Sequence, residues 1–209
     1  MSVALAARAD AVGVHASLAS ELETLATQLS LVTVRISSHG TRADGIGAGI
    51  LWPLDGRLIV VTNAHVVPPS RGSGFLIESV TGRVANARVV ARDREVDLAL
   101  LALSEPPDEW PAPASIGDAR SLRAGEIVVA LGHPLGVGGA LSVGVLHAVP
   151  NGDDVLVRAD IRLAPGNSGG PLATLDGSVV GVNCMIAGGL GIAIPAHVAD
   201  RFAHEVSSG

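Results

Sequence analysis

The spacing of apolar positions along the chain changes near residue 31. Before it, in "ASLASELETLATQLS" (16–30), Leu18, Leu22, Leu25 and Leu29 recur at intervals of three and four, and Ser20 and Glu23 have the spacing of a capping box. This pattern predicts one amphipathic helix over 16–30, its leucine face packed on its own domain. After it come short runs rich in β-branched residues: "LVTVRIS", "GILWPL", "RLIVVTN", "GFLIESV", "RVANARVVARD" and "DLALLAL", separated by Gly, Pro, Asp or Asn. A Pro-rich polar stretch, "SEPPDEWPAPASIGD" (104–118), reads as a linker. A second series follows: "EIVVALG", "ALSVGVLHAV", "DVLVRADIRL", "GGPLATL", "SVVGVNCM" and "GIAIP". The chain then closes on "PAHVADRFAHEV", where Val198, Phe202 and Val206 share a helical face. Two small antiparallel β units, barrels or sandwiches, bounded by helices are the expected plan.

Composition narrows the function classes. A length of 209 residues suits one or two compact units, and 26 Gly with 12 Pro suit many turns and short strands. Aromatic residues make up 2% of the chain, too few for a base-stacking platform, and a net charge of −6 without a basic run excludes a phosphate-backbone partner. All 14 basic residues are arginine, for which we have no physical account. The single cysteine, Cys184, forbids an internal disulfide and reads as a small buried apolar residue. The seven histidines show no HExxH or paired His/Cys spacing, so no metal site and no cofactor are expected. The first twenty residues lack the basic start and unbroken apolar run of a secretory leader, and no stretch reaches membrane-spanning length. The chain as written therefore reads as cytoplasmic without a membrane partner, or as periplasmic or secreted if a leader was removed.

Candidate chemistry sits in three places. "LAPGNSGGPLA" (163–173) presents Ser168 between small residues, on a loop whose glycines permit close approach of another chain. Serine attacks only when a base takes its proton and a third group orients that base. "VVTNAHVV" sets His65 just after an apolar strand, and "REVDLALLAL" sets Asp97 at the mouth of another, where a carboxylate needs a partner such as an imidazole N–H. The same serine motif also satisfies GxSxG, the nucleophile elbow of α/β-hydrolases, but that fold requires a helix after the serine, and "PLATLDGSVVGV" reads as turn and strand.

"TNAHVV", "DLALL" and "GNSGGPL", in that order, resemble the three active-site segments of chymotrypsin-fold serine proteases of the Deg/HtrA family. The flanks "RVVARDREVDLALLAL", "SIGDARSLRAGEIVVALGHPLG", "SVGVLHAV" and "GIAIPAHVAD" resemble that family too, so the likeness covers roughly residues 20–205. The resemblance implies an all-β fold of two perpendicular six-stranded antiparallel barrels with an N-terminal and a C-terminal helix. It would divide the chain into an extension over 1–30, a first barrel over 31–113, and a second barrel with the C-terminal helix over 114–209. It further implies a serine endopeptidase with His65 as general base, Asp97 as its orienting partner and Ser168 as nucleophile. The oxyanion hole would lie in Gly166, Asn167 and Ser168, from the N–H groups of Gly166 and Ser168 in the first instance. Substrate contacts would come from Arg162, Leu163, Ala164, Asn183, Met185 and Ile186. Partners would be unfolded or extended polypeptides, with a homo-oligomer, a trimer in the family, contacting through the 16–30 helix.

The chain also departs from the family pattern. Arg162 and Ala164 stand where the family has a small residue and Asn, His133 replaces Asn in "GHPLG", the loop "MIAGGLG" is short, and PDZ domains have no counterpart. Arg162 at a pocket floor would favour an acidic residue before the scissile bond. Paired instead with Asp160, two residues away on one strand face, it would leave the family's small aliphatic preference in place. A second reading of the whole is a resting or inactive peptide-binding, chaperone-like module of the same fold.

Overall fold

The structure, a computed structural model, describes residues 2–38, 47–69, 74–104, 110–133, 139–148 and 156–208, and side chains from Ser17 onward. An N-terminal helix α1 (Ser2–Val32) leads into β1 (Thr33–Ser38), β2 (Gly47–Leu54), β3 (Arg57–Thr62), β4 (Phe75–Ser79), β5 (Val84–Asp93) and β6 (Leu98–Ser104). After a single 3-10 turn (Ala119–Ser121) come β7 (Ile127–Gly132), β8 (Ala140–Ala148), β9 (Val157–Asp160), β10 (Pro171–Thr174), β11 (Val179–Ala187) and β12 (Leu190–Pro195), and α2 (Ala196–Ser207) ends the described chain.

The first six strands close into a barrel in the order β1-β2-β3-β6-β5-β4 and the last six into another in the order β10-β11-β12-β9-β8-β7. All strand pairs are antiparallel, with β1 against β4 and β10 against β7 sealing the two barrels. Closure removes the open sheet edges that would otherwise expose unpaired amides.

The near-continuous apolar runs of the sequence are explained by three cores rather than two. Alternate residues of β3, β6 and β7 point in opposite directions. Val60, Ala99 and Leu101 fill the first barrel with Val34, Ile36 and Ile77, while Val128 and Ala130 fill the second with Leu146, Val157 and Leu172. Their neighbours Ile59, Val61, Leu98, Leu100, Val129 and Leu131 meet in a third cluster with Trp52, Val182 and Ile194. These strands are thus buried on both faces, one in a barrel and one in the seam between barrels.

Both helices pack on that seam. Leu25 and Leu29 of α1 are buried in it and Leu22 packs beside them, whereas Leu18 is exposed. The helix begins well before the expected residue 16, because the stretch before it is Ala-rich, with high helix propensity but no leucine stripe to register as amphipathic. In α2 the deepest side chains are Ala196, Ala199 and Ala203, with Val198, Phe202 and Val206 partly buried around them. The buried Trp52 donates its indole N–H to Asp200 Oδ1 at 3.2 Å, tying the first barrel to α2.

Of the expected linker, 105–109 lie outside the described residues, and the remainder is stitched to both barrels. Ala114 N–H donates to the Leu51 carbonyl at 2.8 Å, Val179 N–H to Ser115 at 2.8 Å and Gly117 N–H to Val179 at 2.8 Å.

Candidate active site

Three loops converge at the seam. β3 ends at Thr62, and the chain turns through Asn63, Ala64 and His65 beside Asp97, which precedes β6. Asn63, fully buried, donates its amide to the Asp97 carbonyl at 3.0 Å, and Ala64 N–H donates to the same oxygen at 3.2 Å. Arg92 on β5 donates from Nε and Nη2 to the Ala64 carbonyl at 2.9 and 2.8 Å. Asp97 itself sits at φ 58, a left-handed conformation that a non-glycine residue holds only when its surroundings compensate the strain.

The result is a close His–Asp pair. His65 Nδ1 lies 2.7 Å from Asp97 Oδ2, and the His65 backbone N–H donates to Asp97 Oδ1 at 3.0 Å. A third donor, the Cys184 thiol on β11, reaches Asp97 Oδ2 at 3.1 Å. Burial opposes the charge of Asp97, but hydrogen bonds from the His65 ring, the Cys184 thiol and the His65 amide outweigh it and hold the carboxyl below its usual range. Burial first, then the hydrogen bond to Asp97 and its negative charge, push the Cys184 thiol up to about 12.

Opposite this pair is the glycine-flanked turn from the second barrel. The Ser168 carbonyl accepts from Ala48 N–H of β2 at 2.9 Å, and Gly169 N–H donates to the Asn183 carbonyl at 2.8 Å. At Gly169, with φ +83, an added Cβ would lie 2.1 Å from the Ala48 carbonyl oxygen and 2.2 Å from Thr62 Oγ1, so only glycine lets the turn lie this close to the first barrel. Gly166 takes φ 103, and its carbonyl accepts from His133 N–H at 3.0 Å. Among the described residues, the N–H groups of Gly166 and Ser168 have no protein acceptor. Asn167 differs: it lines the pocket, but its N–H is taken by the Ala164 carbonyl at 2.9 Å, which removes it from the expected set of oxyanion donors.

His65, Gly166, Asn167, Ser168 and Cys184 share one pocket of about 420 Å³, walled by Leu163, Ala164, Pro165, Met185 and Ile186. The Ser168 hydroxyl donates to the Cys184 carbonyl at 3.0 Å, and no hydrogen bond joins it to His65.

Two expected pocket residues are not in the wall. Arg162 is exposed and shares the outward face with exposed Asp160, since Val157, Ala159, Ile161 and Leu163 alternate inward past the end of β9, yet the expected ion pair between them does not form. Asn183 is buried and donates its side-chain amide to the Pro171 carbonyl at 2.7 Å, a brace between β11 and β10. Sequence reading missed Pro165, Asn63, Arg92 and above all Cys184 as parts of the site. The pairing of β11 with β12 shifts register between Asn183 and Met185, and such an irregularity breaks the alternation by which a sequence assigns faces.

With this geometry in hand, comparison with known proteins is decisive on family. The model of the trypsin-like peptidase domain matches residues 47–182. The chain belongs to the trypsin-like peptidase family. This peptidase-family chain is 33% identical over 192 residues to Serine protease Do-like HtrA of Bacillus subtilis (strain 168), covering 82% of itself and 41% of that protein. To a probable periplasmic serine endoprotease DegP-like of Rhizobium meliloti (strain 1021) it is 39% identical over 165 residues, 73% of itself and 31% of the relative. It thus spans well under half the length of these curated relatives. A solved structure, "HtrA-type protease AlgW with decapeptide", shares the fold with a TM-score of 0.74 at 21% identity, over 88% of this chain and 66% of that one. Among the described residues, no helix of this peptidase-family chain is long and apolar enough to cross a membrane.

Proposed function

We propose that this chain is a serine endopeptidase domain that cleaves extended polypeptides through an acyl-enzyme at Ser168. The observation that carries the reading is the 2.7 Å His65–Asp97 pair facing, across one pocket, a serine whose own backbone N–H and that of Gly166 have no acceptor among the described residues. Asp97 accepts the Nδ1 proton and so leaves the lone pair of His65 on Nε2, where it can act as general base toward Ser168. The N–H groups of Gly166 and Ser168 supply two fixed donors for the developing oxyanion.

Substrate has a place to lie. Residues 185–187 run past β10 and, among the described residues, pair only with β12, which leaves their other edge free there for an added strand. The Cys184 carbonyl, which now accepts from Ser168, adjoins that edge. A peptide N–H taking this acceptor releases the Ser168 hydroxyl toward His65, so substrate itself completes the constellation. The apolar wall of Leu163, Ala164, Pro165, Met185 and Ile186 suits a small or medium aliphatic residue before the scissile bond, and Arg162 lies outside it. Extended or unfolded chains fit an open strand edge best. The exposed Leu18 and Leu31 support a contact between copies through α1, and the periplasmic naming of a relative supports a compartment outside the cytoplasm.

Labelling with a fluorophosphonate tests the reading, with the wild type beside Ser168→Ala and His65→Ala. Labelling of the wild type, lost in both variants and increased by an unfolded polypeptide, is the expected result. A folded wild type that stays unlabelled with and without unfolded polypeptide overturns it and leaves a peptide-binding module.

A further inference from the structure

The acidic end of the site holds three different metal-ligating groups, one of them a thiol. His65 Nδ1 and Cys184 Sγ both approach the same oxygen, Asp97 Oδ2, at 2.7 and 3.1 Å, and the three ligand atoms lie within 4.8 Å of one another. We propose that His65, Asp97 and Cys184 form a binding site for a thiophilic divalent cation, with Zn2+ as the physiological candidate.

The donor set selects the metal class. One thiolate, one imidazole and one carboxylate match zinc and its soft analogues, whereas calcium and magnesium require shells built from oxygen. Tetrahedral bonds of about 2.0–2.3 Å place ligand atoms about 3.3–3.6 Å apart, with water in the fourth position. The two short separations therefore open by under about 1 Å, and the half-exposed ring of His65 is free to make that shift. Both hydrogens now directed at Asp97 Oδ2 occupy the space the cation would take.

The exchange balances. Cys184 gives its proton to solvent and binds as thiolate, while His65 yields its Nδ1 lone pair to the metal and carries its proton on Nε2. One proton is released per cation, and the site passes from one net negative charge to neutrality. An Nε2 that bears hydrogen cannot accept one from Ser168. Resting on the peptidase reading, the consequence is reversible inhibition by the cation.

Co2+ titration of the intact protein tests the site without relying on activity. The chain has one cysteine, so a thiolate-to-cobalt charge-transfer band reports Cys184 alone. The band is expected in the wild type and in Ser168→Ala, displaced by Zn2+ and absent in Cys184→Ser. His65→Ala should keep the band with weakened affinity. Loss of even an outer-shell partner costs about 10–100-fold in metal affinity, so Cys184→Ser should weaken Zn2+ binding, and inhibition relative to its own metal-free rate, by at least that much. Co2+ binding without the band, wild-type Zn2+ affinity in Cys184→Ser, or no binding of either cation overturns the proposal. A thiolate band in a protein that hydrolyses no peptide without metal would instead leave the site standing and remove the peptidase reading.

Discussion

Replacing Gly169 by alanine separates two costs that usually come together. Gly169 and Gly82 both hold positive φ, +83 and +76, but a Cβ at Gly82 meets nothing within 4 Å, while at Gly169 it would lie 2.1 Å from the Ala48 carbonyl oxygen and 2.2 Å from Thr62 Oγ1. Both alanine variants incur the left-handed backbone cost of roughly 1–2 kcal/mol. Gly169→Ala adds overpacking of roughly 1–3 kcal/mol, because Ala48 is backbone on a hydrogen-bonded strand and cannot swing aside. For a chain of this length each kcal/mol lowers Tm by about 2–4 °C, so Gly169→Ala should melt about 2–12 °C below Gly82→Ala. The shift is read by thermal melting monitored by circular dichroism, with fluorophosphonate labelling of the folded variants alongside. Gly82→Ala should label like the wild type and Gly169→Ala less, since the clash displaces the turn that carries Ser168. Equal melting of the two variants would refute the argument that close apposition of the barrels, rather than backbone conformation alone, demands glycine after the serine.

Further outcomes follow from other contacts. Arg162→Ala should leave the ratio of cleavage of matched Val- and Glu-containing peptides unchanged, since Arg162 is exposed and outside the pocket wall; a shift of several-fold toward Val would restore the acidic-preference idea. Leu29→Ala should destabilise by about 2–5 kcal/mol in a denaturant titration, because Leu29 is buried in the seam, and a change within error would mean that α1 docks without contributing to the core. Iodoacetamide reacts with thiolate, and a thiol pushed up to about 12 has roughly a thousandfold less of it at pH 8 than an ordinary cysteine. Cys184 should therefore alkylate far more slowly in the folded than in the denatured protein, and comparable rates would show that the thiol is neither buried nor held by Asp97.

What the chain determined by itself was the list of parts. Short runs rich in β-branched residues and closed by Gly, Pro, Asp or Asn marked all twelve strands, because strand propensity and turn chemistry are local properties. Likewise Ser168, His65 and Asp97 were legible as residue types in motifs, and their pairing came from resemblance, since they lie far apart in sequence. Tertiary structure decided what local pattern cannot encode. The start of α1 is the exception, a local signal that the leucine stripe does not carry, because an alanine-rich stretch forms helix by propensity without a one-sided apolar face. Arg162 lies outside the pocket because its neighbours Ile161 and Leu163 turn inward and it turns to solvent, and Asn183 became a brace rather than a wall. Cys184 read as filler in an apolar run until the irregular pairing of β11 brought its thiol to the Asp97 carboxylate and its carbonyl to the Ser168 hydroxyl. Contacts across 87 and 16 residues, the separations of those two pairs, depend on barrel closure and strand register, which are collective outcomes of packing that no local run of residues specifies.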